Sequence, residues 1–315
     1  MRTVALDQNH WIYLARTYHG RQRGAPREVL DRLLAAVRTG EARVPLSFLH
    51  LVEVLKHEKT GRRNRLAEVF DALADGWFFA TWGYVLPLEI DRAVAQMLGA
   101  SPPPPPEVIG RGFLFGLSPA ARASLEQHLK PGSFERIERI AALPGAVLDL
   151  ISHSRPVDRA LQNASIARRN FADVTGAEDA RRLLRNEARE LRHRVKLANY
   201  TLHFQDKLAR SLAHHGVSLQ DFCSRGVEFL IDFWSRIPSL HVDCELSLYR
   251  DRQWSRPVQP NDFADLGYMV LAIPYCSVVV AERFWARAAS ETKIASSYGT
   301  RVFSRLSDLQ NVLAA

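Results

Sequence analysis

The chain has 315 residues, of which 47% are hydrophobic and 24% are charged. This composition is that of an ordinary globular protein, and the length allows one elaborated domain or two. The formal net charge of +8 makes a polyanion the expected partner, with nucleic acid ahead of a membrane surface. Charge alone is a weak argument, because many basic proteins bind neither.

The cysteines and the apolar segments bear on the compartment. Three cysteines lie far apart without CxxC spacing, which predicts neither a zinc knuckle nor a disulfide framework and fits a reducing interior. Asp7 interrupts the apolar start of the chain, so we expect no signal peptide. The longest apolar run, 266–281, is broken by Pro274 and is too short to span a bilayer. We therefore expect a soluble, cytoplasmic protein.

The first hundred residues alternate between short apolar strands and helices. Residues 3–6 form a predicted strand that ends at Asp7, and an amphipathic helix follows. After a second helix, a strand leads into Ser47, which is placed as the N-cap of a helix that carries Glu53. Further along, the aromatic and β-branched stretch 77–88 is predicted to include another strand, with Glu89 at its end and a helix to Leu98.

The middle of the chain is predicted to be helical. Five consecutive prolines, 102–106, indicate a stiff spacer and a boundary. From about 156 to 235 the pattern is helical almost throughout. We therefore predict one α/β domain with halves 1–99 and 256–315, and a helical insertion, 100–255, that begins with the proline-rich linker.

The most informative stretch lies near the carboxyl terminus. Asn261 or Asp262 follows a proline and precedes an apolar run, as an N-cap does. The helix must end near Pro274, and the β-branched run 277–281 is apolar on both faces, which is typical of a covered parallel strand. Glu282 falls just past the end of that strand.

Acids that end neighbouring strands are expected to meet at one edge of the sheet. In open α/β sheets the site lies outside the carboxyl ends of the strands. Asp7 and Glu282 face one crevice if their strands are parallel neighbours, and Glu53 and Asp265 can converge on it. Such a cluster commonly holds hard divalent cations, here Mg²⁺ or Mn²⁺. Two ions about 3.5–4 Å apart serve the attacking water and the leaving oxygen of a phosphodiester.

Each of these residues also has a structural interpretation. An acid at a helix start can be only a cap or a dipole partner, so it is the joint pattern that favours a site. Asp7, nearest the centre of the sheet, is the candidate to bridge the metals. Four further residues are candidates for supporting roles, such as orienting water or phosphate: Asn9, Asn261, Asp262 and Ser277.

This constellation resembles the PIN-like nucleases. The resemblance rests on an opening strand that ends in Asp7, on Glu53 inside the helix after the second strand, on Asp265 near the start of a late helix, and on a strand that ends in Glu282. It covers the two α/β segments, about half of the chain. It implies a three-layer α/β/α fold with a parallel sheet and metal-dependent cleavage of RNA. The four acids are then the catalytic and metal-binding residues.

Departures from the family pattern leave an alternative open. Glu282 stands where the family usually has Asp, and Ser277 where relatives often have Asp. The alternative is a catalytically impaired PIN-like protein that binds nucleic acid or acts as a scaffold. A weaker hypothesis is a transition-metal site on one helical face formed by His50, Glu53 and His57, although their order is not HExxH.

The arginines between 179 and 210 are the last feature. Such runs are usually solvated helix faces braced by acids. The other interpretation is a surface that follows phosphates, with Arg185, Arg189 and Arg192 on it. The predicted function is a metal-dependent endoribonuclease, in a toxin or defence setting that only the resemblance implies. Expected partners are single-stranded RNA and, left open, a protein inhibitor or a second copy of the chain. The residues do not decide between RNA and DNA.

Overall fold

Six short strands form two sheets in the part of the chain that the structure describes. A computed structural model describes residues 1–21, 24–55, 59–154 and 172–313. The strands are β1 (Arg2–Leu6), β2 (Ala42–Arg43), β3 (Trp77–Phe79), β4 (Ile109–Arg111), β5 (Val278–Val280) and β6 (Arg301–Phe303). The larger sheet has the order β2–β1–β5–β6 and is parallel throughout. The mixed α/β class with a parallel sheet, predicted from the sequence, is confirmed.

The two central strands explain why this sheet forms. Val4, Ala5 and Leu6 of β1 and all three valines of β5 are fully buried. Strands that are covered on both faces are apolar at every position, and β-branched residues pack well on the pleated surface. The register places Leu6 opposite Val280, and Val280 opposite Phe303. Three strands therefore end at the same edge.

The smaller sheet corrects one prediction. β3 and β4 pair antiparallel, and Leu46 exchanges backbone hydrogen bonds with Trp77 and Phe79. The stretch 77–88 is a strand only over β3, because helix α5 (Trp82–Met97) begins soon after it. The prediction that this stretch includes a strand is confirmed, but the strand ends at Phe79 and not next to Glu89. Leu86 and Ile90 lie one helical turn apart in the core, a period of 3.6 that the aromatic composition obscured.

The first compact unit contains both sheets and ten of the described helices. This unit contains the described residues within Met1–Thr81, Val108–Arg168 and Leu271–Ala315. Its helices are α1 (Gln8–Tyr18), α2 (Ala25–Arg38), α3 (Phe48–Leu55), α4 (Thr60–Ala74), α6 (Pro119–Gln127), α7 (Ser133–Ala141), α8 (Ala146–His153), α15 (Arg283–Glu291), α16 (Ile294–Ser297) and α17 (Gln310–Leu313), with a 3-10 turn at Leu306–Leu309. Trp11, Phe70 and the apolar side chains of β1 and β5 belong to its core.

The second compact unit is helical in its described residues. It contains those within Trp82–Glu107 and Arg169–Val270. Its helices are α5, α9 (which includes residues 172–183), α10 (Arg189–His214), α11 (Leu219–Cys223), α12 (Val227–Ser235), α13 (Pro238–Asp251) and the larger part of α14 (Pro260–Tyr275). Its core joins α5, α10, α12 and α13 through large side chains such as Phe204, Phe233 and Trp234.

These units do not coincide with the predicted domain boundaries. Residues 82–99, predicted for the α/β domain, belong to the helical unit, and the described residues within Val108–Arg168, predicted for the insertion, belong to the unit with the sheets. Part of the predicted helical region, 155–171, lies outside the described residues. Within the described ranges, no helix has both the length and the apolar character that a bilayer span requires.

Candidate functional site at the carboxyl edge of the parallel sheet

Asp7 lies directly after β1, where the strand gives way to α1. Its backbone N–H donates to the carbonyl oxygen of Val280 at 3.0 Å, which continues the pairing with β5 by one residue. Its side chain is the N-cap of α1, because Oδ1 accepts from the backbone N–H of His10 at 3.0 Å. Aspartate is among the preferred N-cap residues because it satisfies an N–H that the helix leaves open. The sequence thus fixes both the place and the orientation of this carboxylate.

The two oxygens of Asp7 have different surroundings. Oδ1 also lies 2.5 Å from Nδ1 of His10, and since a carboxylate can only accept, the proton of this contact is on the imidazole. Oδ2 is buried and has no hydrogen-bond partner among the described residues, and Asp7 as a whole is only 6% exposed. Burying an unpaired charged oxygen costs free energy. Oδ2 is therefore the atom at this edge that most needs a ligand.

Glu282 is placed at the same edge by the end of β5. It follows Ala281, which continues β5 beside Asp7, and it precedes the first residue of α15. Its Oε1 accepts a hydrogen bond from Nδ2 of Asn9, so the start of α1 is joined to the end of β5. Both side chains are exposed. The structure therefore brings together three of the predicted site residues, Asp7, Asn9 and Glu282.

His50 is a member of this region to which the sequence interpretation gave little weight. It lies in the first turn of α3, is 3% exposed, and accepts at Nδ1 from the backbone N–H of Ser47 at 3.0 Å. Burial lowers the pKa of His50 to about 4, even though the charge of Asp7 and a hydrogen bond to the backbone of Leu6 act to raise that pKa. His50 is therefore neutral at pH 7 and ties α3 to the carboxyl end of β1. The sequence signal that could have identified His50 is its position three residues after Ser47, the predicted N-cap.

Buried polar atoms continue along α1. Nε2 and Oε1 of Gln8 and Nε1 of Trp11 are buried, and these atoms have no hydrogen-bond partner in the part of the chain that is described. The ring of Trp11 meets that of His50 edge-on, with centroids 6.2 Å apart. Unpaired buried polar groups are rare in folded proteins and call for an explanation by water, an ion or a ligand. Among the described residues, several buried polar atoms next to Asp7 thus lack a protein partner.

A cavity opens beyond the strand ends. Its volume is about 430 Å³, and its lining includes Asn9, His10 and Tyr13 from α1 and Arg305 and Ser307 from the segment after β6. Arg305 is exposed, and a guanidinium suits bidentate contacts with phosphate. The sequence analysis did not single out His10, Tyr13 or Arg305. No local motif marks them, because the register of β6 beside β5 is what brings Arg305 to this edge.

Two predicted residues of the same unit take other positions. Glu53 lies three residues after His50 on α3, one turn further along that helix, and is half-buried. Ser277 was predicted to support the site, and this prediction was wrong. Its backbone N–H donates to the carbonyl oxygen of Thr3, so it lies at the amino end of β5. At 3.3 Å per residue, the strand separates it from the carboxyl edge by about 13 Å.

Three predicted residues belong to α14, in its portion within the second unit. The helix begins at Pro260, so neither Asn261 nor Asp262 is its N-cap, and proline at the first helical position is favourable. Asp262 is 1% exposed and accepts from both terminal nitrogens of Arg256, at 2.8 and 2.5 Å, and from the N–H of Gln259. Its predicted supporting role in the metal site is thereby replaced by a structural one. Asn261 is exposed and Asp265 is half-buried.

The donor set fits a hydrated metal ion better than a protein cage. Within the described ranges, no three His, Cys, Asp or Glu side chains are grouped closely enough to hold a metal ion. Mg²⁺, however, usually keeps several waters and takes only one or two carboxylates together with substrate phosphates. The unpaired Oδ2 of Asp7 supplies one such ligand. Ala281 lies beside Asp7 in the sheet, and Glu282 is the next residue along the chain. Asp7 and Glu282 could therefore supply one or two carboxylate ligands to Mg²⁺ or Mn²⁺, with water and substrate as the other ligands.

The predicted phosphate-following arginines do not lie on one continuous helix. Arg185 is in the turn that follows residues 172–183, and Arg189 begins α10. Arg189 lies 3.5 Å from Glu245. The guanidinium carbons of Arg185 and Arg192 lie 5.7 and 6.0 Å from the ring centre of Trp254. His57 of the alternative transition-metal face lies outside the described residues.

Comparison with known proteins gives no match: no protein-family model, no curated protein and no solved structure is significantly similar to this chain.

Proposed function

We propose that the protein is a divalent-metal-dependent endoribonuclease of PIN-like type. The observation that carries the proposal is the buried, unpaired Oδ2 of Asp7 at the carboxyl end of a central parallel strand. In open α/β folds this edge is where ligands bind, and an unpaired carboxylate oxygen is an oxygen ligand of the kind that Mg²⁺ and Mn²⁺ prefer. The proposal includes the three-layer α/β/α arrangement with a large helical insertion.

The residues divide into ligands and positioning groups. Asp7 is the principal metal ligand in the proposal, with Glu282 beside it and with Glu53 as a further acid of the same unit. A divalent ion bound there would make a water more acidic and stabilise the leaving oxygen of a phosphodiester. Asn9 holds the carboxylate of Glu282 in place.

Two cavity residues would act alongside the metal without binding it. His10 directs its Nδ1 proton to Asp7, which leaves Nε2 as a proton acceptor, in the way that a carboxylate fixes the tautomer of a catalytic histidine. Arg305 offers a cation to a phosphate of the substrate within the same cavity. The net charge of +8 favours approach of a polyanion, and RNA as that polyanion rests on the resemblance to the family.

The proposal is tested by incubating the purified protein with labelled single-stranded RNA or single-stranded DNA of the same sequence. We expect internal cleavage of the RNA with Mn²⁺ or Mg²⁺ and none with EDTA. Cleavage that persists in EDTA would contradict a metal-dependent reaction. Cleavage of DNA alone would contradict the ribonuclease assignment and keep the metal site.

The second candidate is a PIN-like protein that binds nucleic acid or acts as a scaffold without catalysis. The observation in its favour is that no group of three metal-binding side chains is assembled within the described ranges. Glu282→Asp separates the two candidates. This substitution restores the acid that is commoner in the family, so a nuclease should keep measurable cleavage even though the contact with Asn9 is lost. A scaffold should show no cleavage and no rise in melting temperature with Mn²⁺ for either form.

A further inference from the structure

The second unit contains a cavity for which the proposed function has no use. It has a volume of about 570 Å³ and lies among α9, α10, α13 and the beginning of α14. That volume falls within the usual range for sites of small organic ligands. Its lining holds four cationic side chains, Arg181, Arg192, Lys196 and Arg250, against three carboxylates. The cavity therefore has an excess of positive charge.

Arg250 is the residue that points to a ligand. It lies in the last turn of α13 and is 5% exposed. Its Nε and Nη2 bind Oδ1 of Asp251 at 2.9 and 2.8 Å, and its guanidinium carbon lies 5.4 Å from the ring centre of Phe263. Nη1, in contrast, is buried and has no hydrogen-bond partner among the described residues. A buried cation with an unused donor is costly to a protein unless something accepts that hydrogen bond.

The neighbouring cations differ in how far their hydrogen bonds are already used. Arg181 donates to the backbone carbonyl oxygens of Asp251, Gln253 and Arg256, so its role is to hold the loop after α13. Lys196 pairs with Asp243 at 3.0 Å. Arg192 lines the cavity from α10 and is only half-buried. Arg192 is thus placed to bind an anion together with Nη1 of Arg250.

Trp254 adds an aromatic surface to the same cavity. It is 39% exposed, and the guanidinium carbons of Arg181, Arg185 and Arg192 lie 5.1 to 6.0 Å from its ring centre. Trp254 therefore presents part of its ring surface to the cavity beside these arginines. Aromatic rings next to arginine bind the planar base of a nucleotide by stacking while the cations bind its phosphate.

We propose that this cavity binds a nucleotide, with its phosphate at Arg250 and Arg192 and its base at Trp254. The phosphate supplies the acceptor that Nη1 of Arg250 lacks. The same chemistry is presented by a free mononucleotide and by the phosphorylated 5′ end of a nucleic-acid strand. The inference does not depend on the proposed nuclease activity, because it uses only residues of the second unit.

The test measures binding to the full-length protein by isothermal titration calorimetry. The probes are the four ribonucleoside 5′-monophosphates, the corresponding nucleosides, and a short oligonucleotide with and without a 5′-phosphate, all in EDTA so that cleavage cannot occur. We expect at least one mononucleotide to bind saturably and its nucleoside to bind at least roughly tenfold more weakly, because charge-assisted hydrogen bonds are lost. Preference for the 5′-phosphorylated oligonucleotide would identify a strand end as the source, and preference for the mononucleotide a free nucleotide.

Variants make the test specific to the cavity. Arg192→Ala should weaken nucleotide binding at least about tenfold, whereas Arg194→Ala, two residues along α10, should not, since Arg194 is exposed and paired with Glu228. Arg250→Gln removes the buried donor, and circular dichroism first establishes whether this variant is folded. Should Arg250→Gln fail to fold, Arg192→Ala and Trp254→Leu still decide the matter. Equal binding of nucleoside and nucleotide, or unchanged binding in Arg192→Ala, would overturn the proposal.

Discussion

Asp7 and Asp262 are buried aspartates at the starts of helices, one in each compact unit, and they differ in how their oxygens are satisfied. Asp262 has every acceptor engaged, with two nitrogens of Arg256 and the N–H of Gln259. Asp7 has Oδ1 engaged by His10 and Oδ2 unpaired. From the sequence both have the same two interpretations, a helix cap or a ligand. What separates them is the number of partners, which depends on residues distant in the chain.

The largest expected effect comes from Asp7→Asn. Asparagine keeps the N-cap of α1, so we expect the free energy of unfolding to change little or to rise. Cleavage should fall by at least about three orders of magnitude, because a metal that is lost takes several kcal/mol of transition-state stabilisation with it. Mn²⁺ should raise the melting temperature of the wild type and do much less for the variant.

The matched control for Asp7→Asn is Asp31→Asn. Asp31 is exposed and paired with Arg27 on α2. Its substitution removes the same charge at a position outside the cavity lining and should leave cleavage intact. If Asp7→Asn cleaves RNA as fast as the wild type, the activity comes from a contaminant or from a site elsewhere.

Asp262→Ala should produce the opposite result, a loss of stability. Removing one partner of a buried ion pair typically costs about 3 kcal/mol, because the remaining charge is left without compensation. The pair qualifies because Asp262 is nearly inaccessible and Arg256 is less than a third exposed. Urea unfolding measures the change, and Asn261→Ala, an exposed neighbour, should stay within about 0.5 kcal/mol of the wild type. A small effect of Asp262→Ala would return this residue to the group of candidate ligands.

His50 gives the Asp7 region a pH dependence of stability. Burial lowers its pKa to about 4 from an ordinary value of 6.5, so between those pH values the unfolded chain binds a proton on His50 that the folded chain does not. The stabilisation is fully present above pH 6.5 and is lost as the pH falls to about 4, by about 3 kcal/mol in total. Urea unfolding from pH 7 to pH 4 measures this loss.

Two histidine variants isolate the effect. His50→Gln should remove about 1.4 kcal/mol per pH unit from the slope in that window, whereas His128→Gln should keep the wild-type slope, because His128 is exposed at the end of α6. Equal slopes in all three proteins would contradict a neutral, buried His50.

The strand ends were predictable and their surroundings were not. Leu6–Asp7 and Val280–Glu282 are local patterns: a short apolar run predicts a covered strand, and parallel neighbours end at one edge. His10, His50 and Arg305 reach that edge through helix caps and strand register, which no short motif encodes. Ser277 was misplaced because its position was argued from a family pattern, while hydrogen bonds with Thr3 place it at the other end of β5.

The helical unit was harder to predict for a different physical reason. Arg181 and Arg250 are buried, whereas Arg182 and Arg194 are exposed, and the sequence spacing of arginines on helices does not distinguish the two. Burial depends on which helices pack together, and this follows from large side chains far apart in the chain, such as Phe204 and Phe233. The strand predicted within 77–88 ends early, at Phe79, for the same reason, since helix packing outweighs β propensity from Trp82 onward.

The smallest expected effect concerns the salt dependence of nucleic-acid binding. If Arg185, Arg189 and Arg192 contact phosphates, the logarithm of the affinity for single-stranded RNA falls linearly with the logarithm of salt concentration, by about 0.7 for each phosphate neutralised. Replacing all three with Ala should therefore reduce the slope by at most about 2. Arg189 already faces Glu245 at 3.5 Å, so Arg189→Ala alone should change the slope least. Fluorescence anisotropy in EDTA, at several salt concentrations, measures the slope.

The control for this series must remove the same total charge. Arg27, Arg122 and Arg287 are exposed, and each pairs with an acid four residues later, so their triple replacement lowers the net charge equally without touching the second unit's cavity. Equal slopes for the two triple variants would mean that Arg185, Arg189 and Arg192 act only through net charge and are a solvated surface. A reduced slope in the first variant alone would place a phosphate path beside Trp254, because two of its three arginines lie within 6.0 Å of that ring centre.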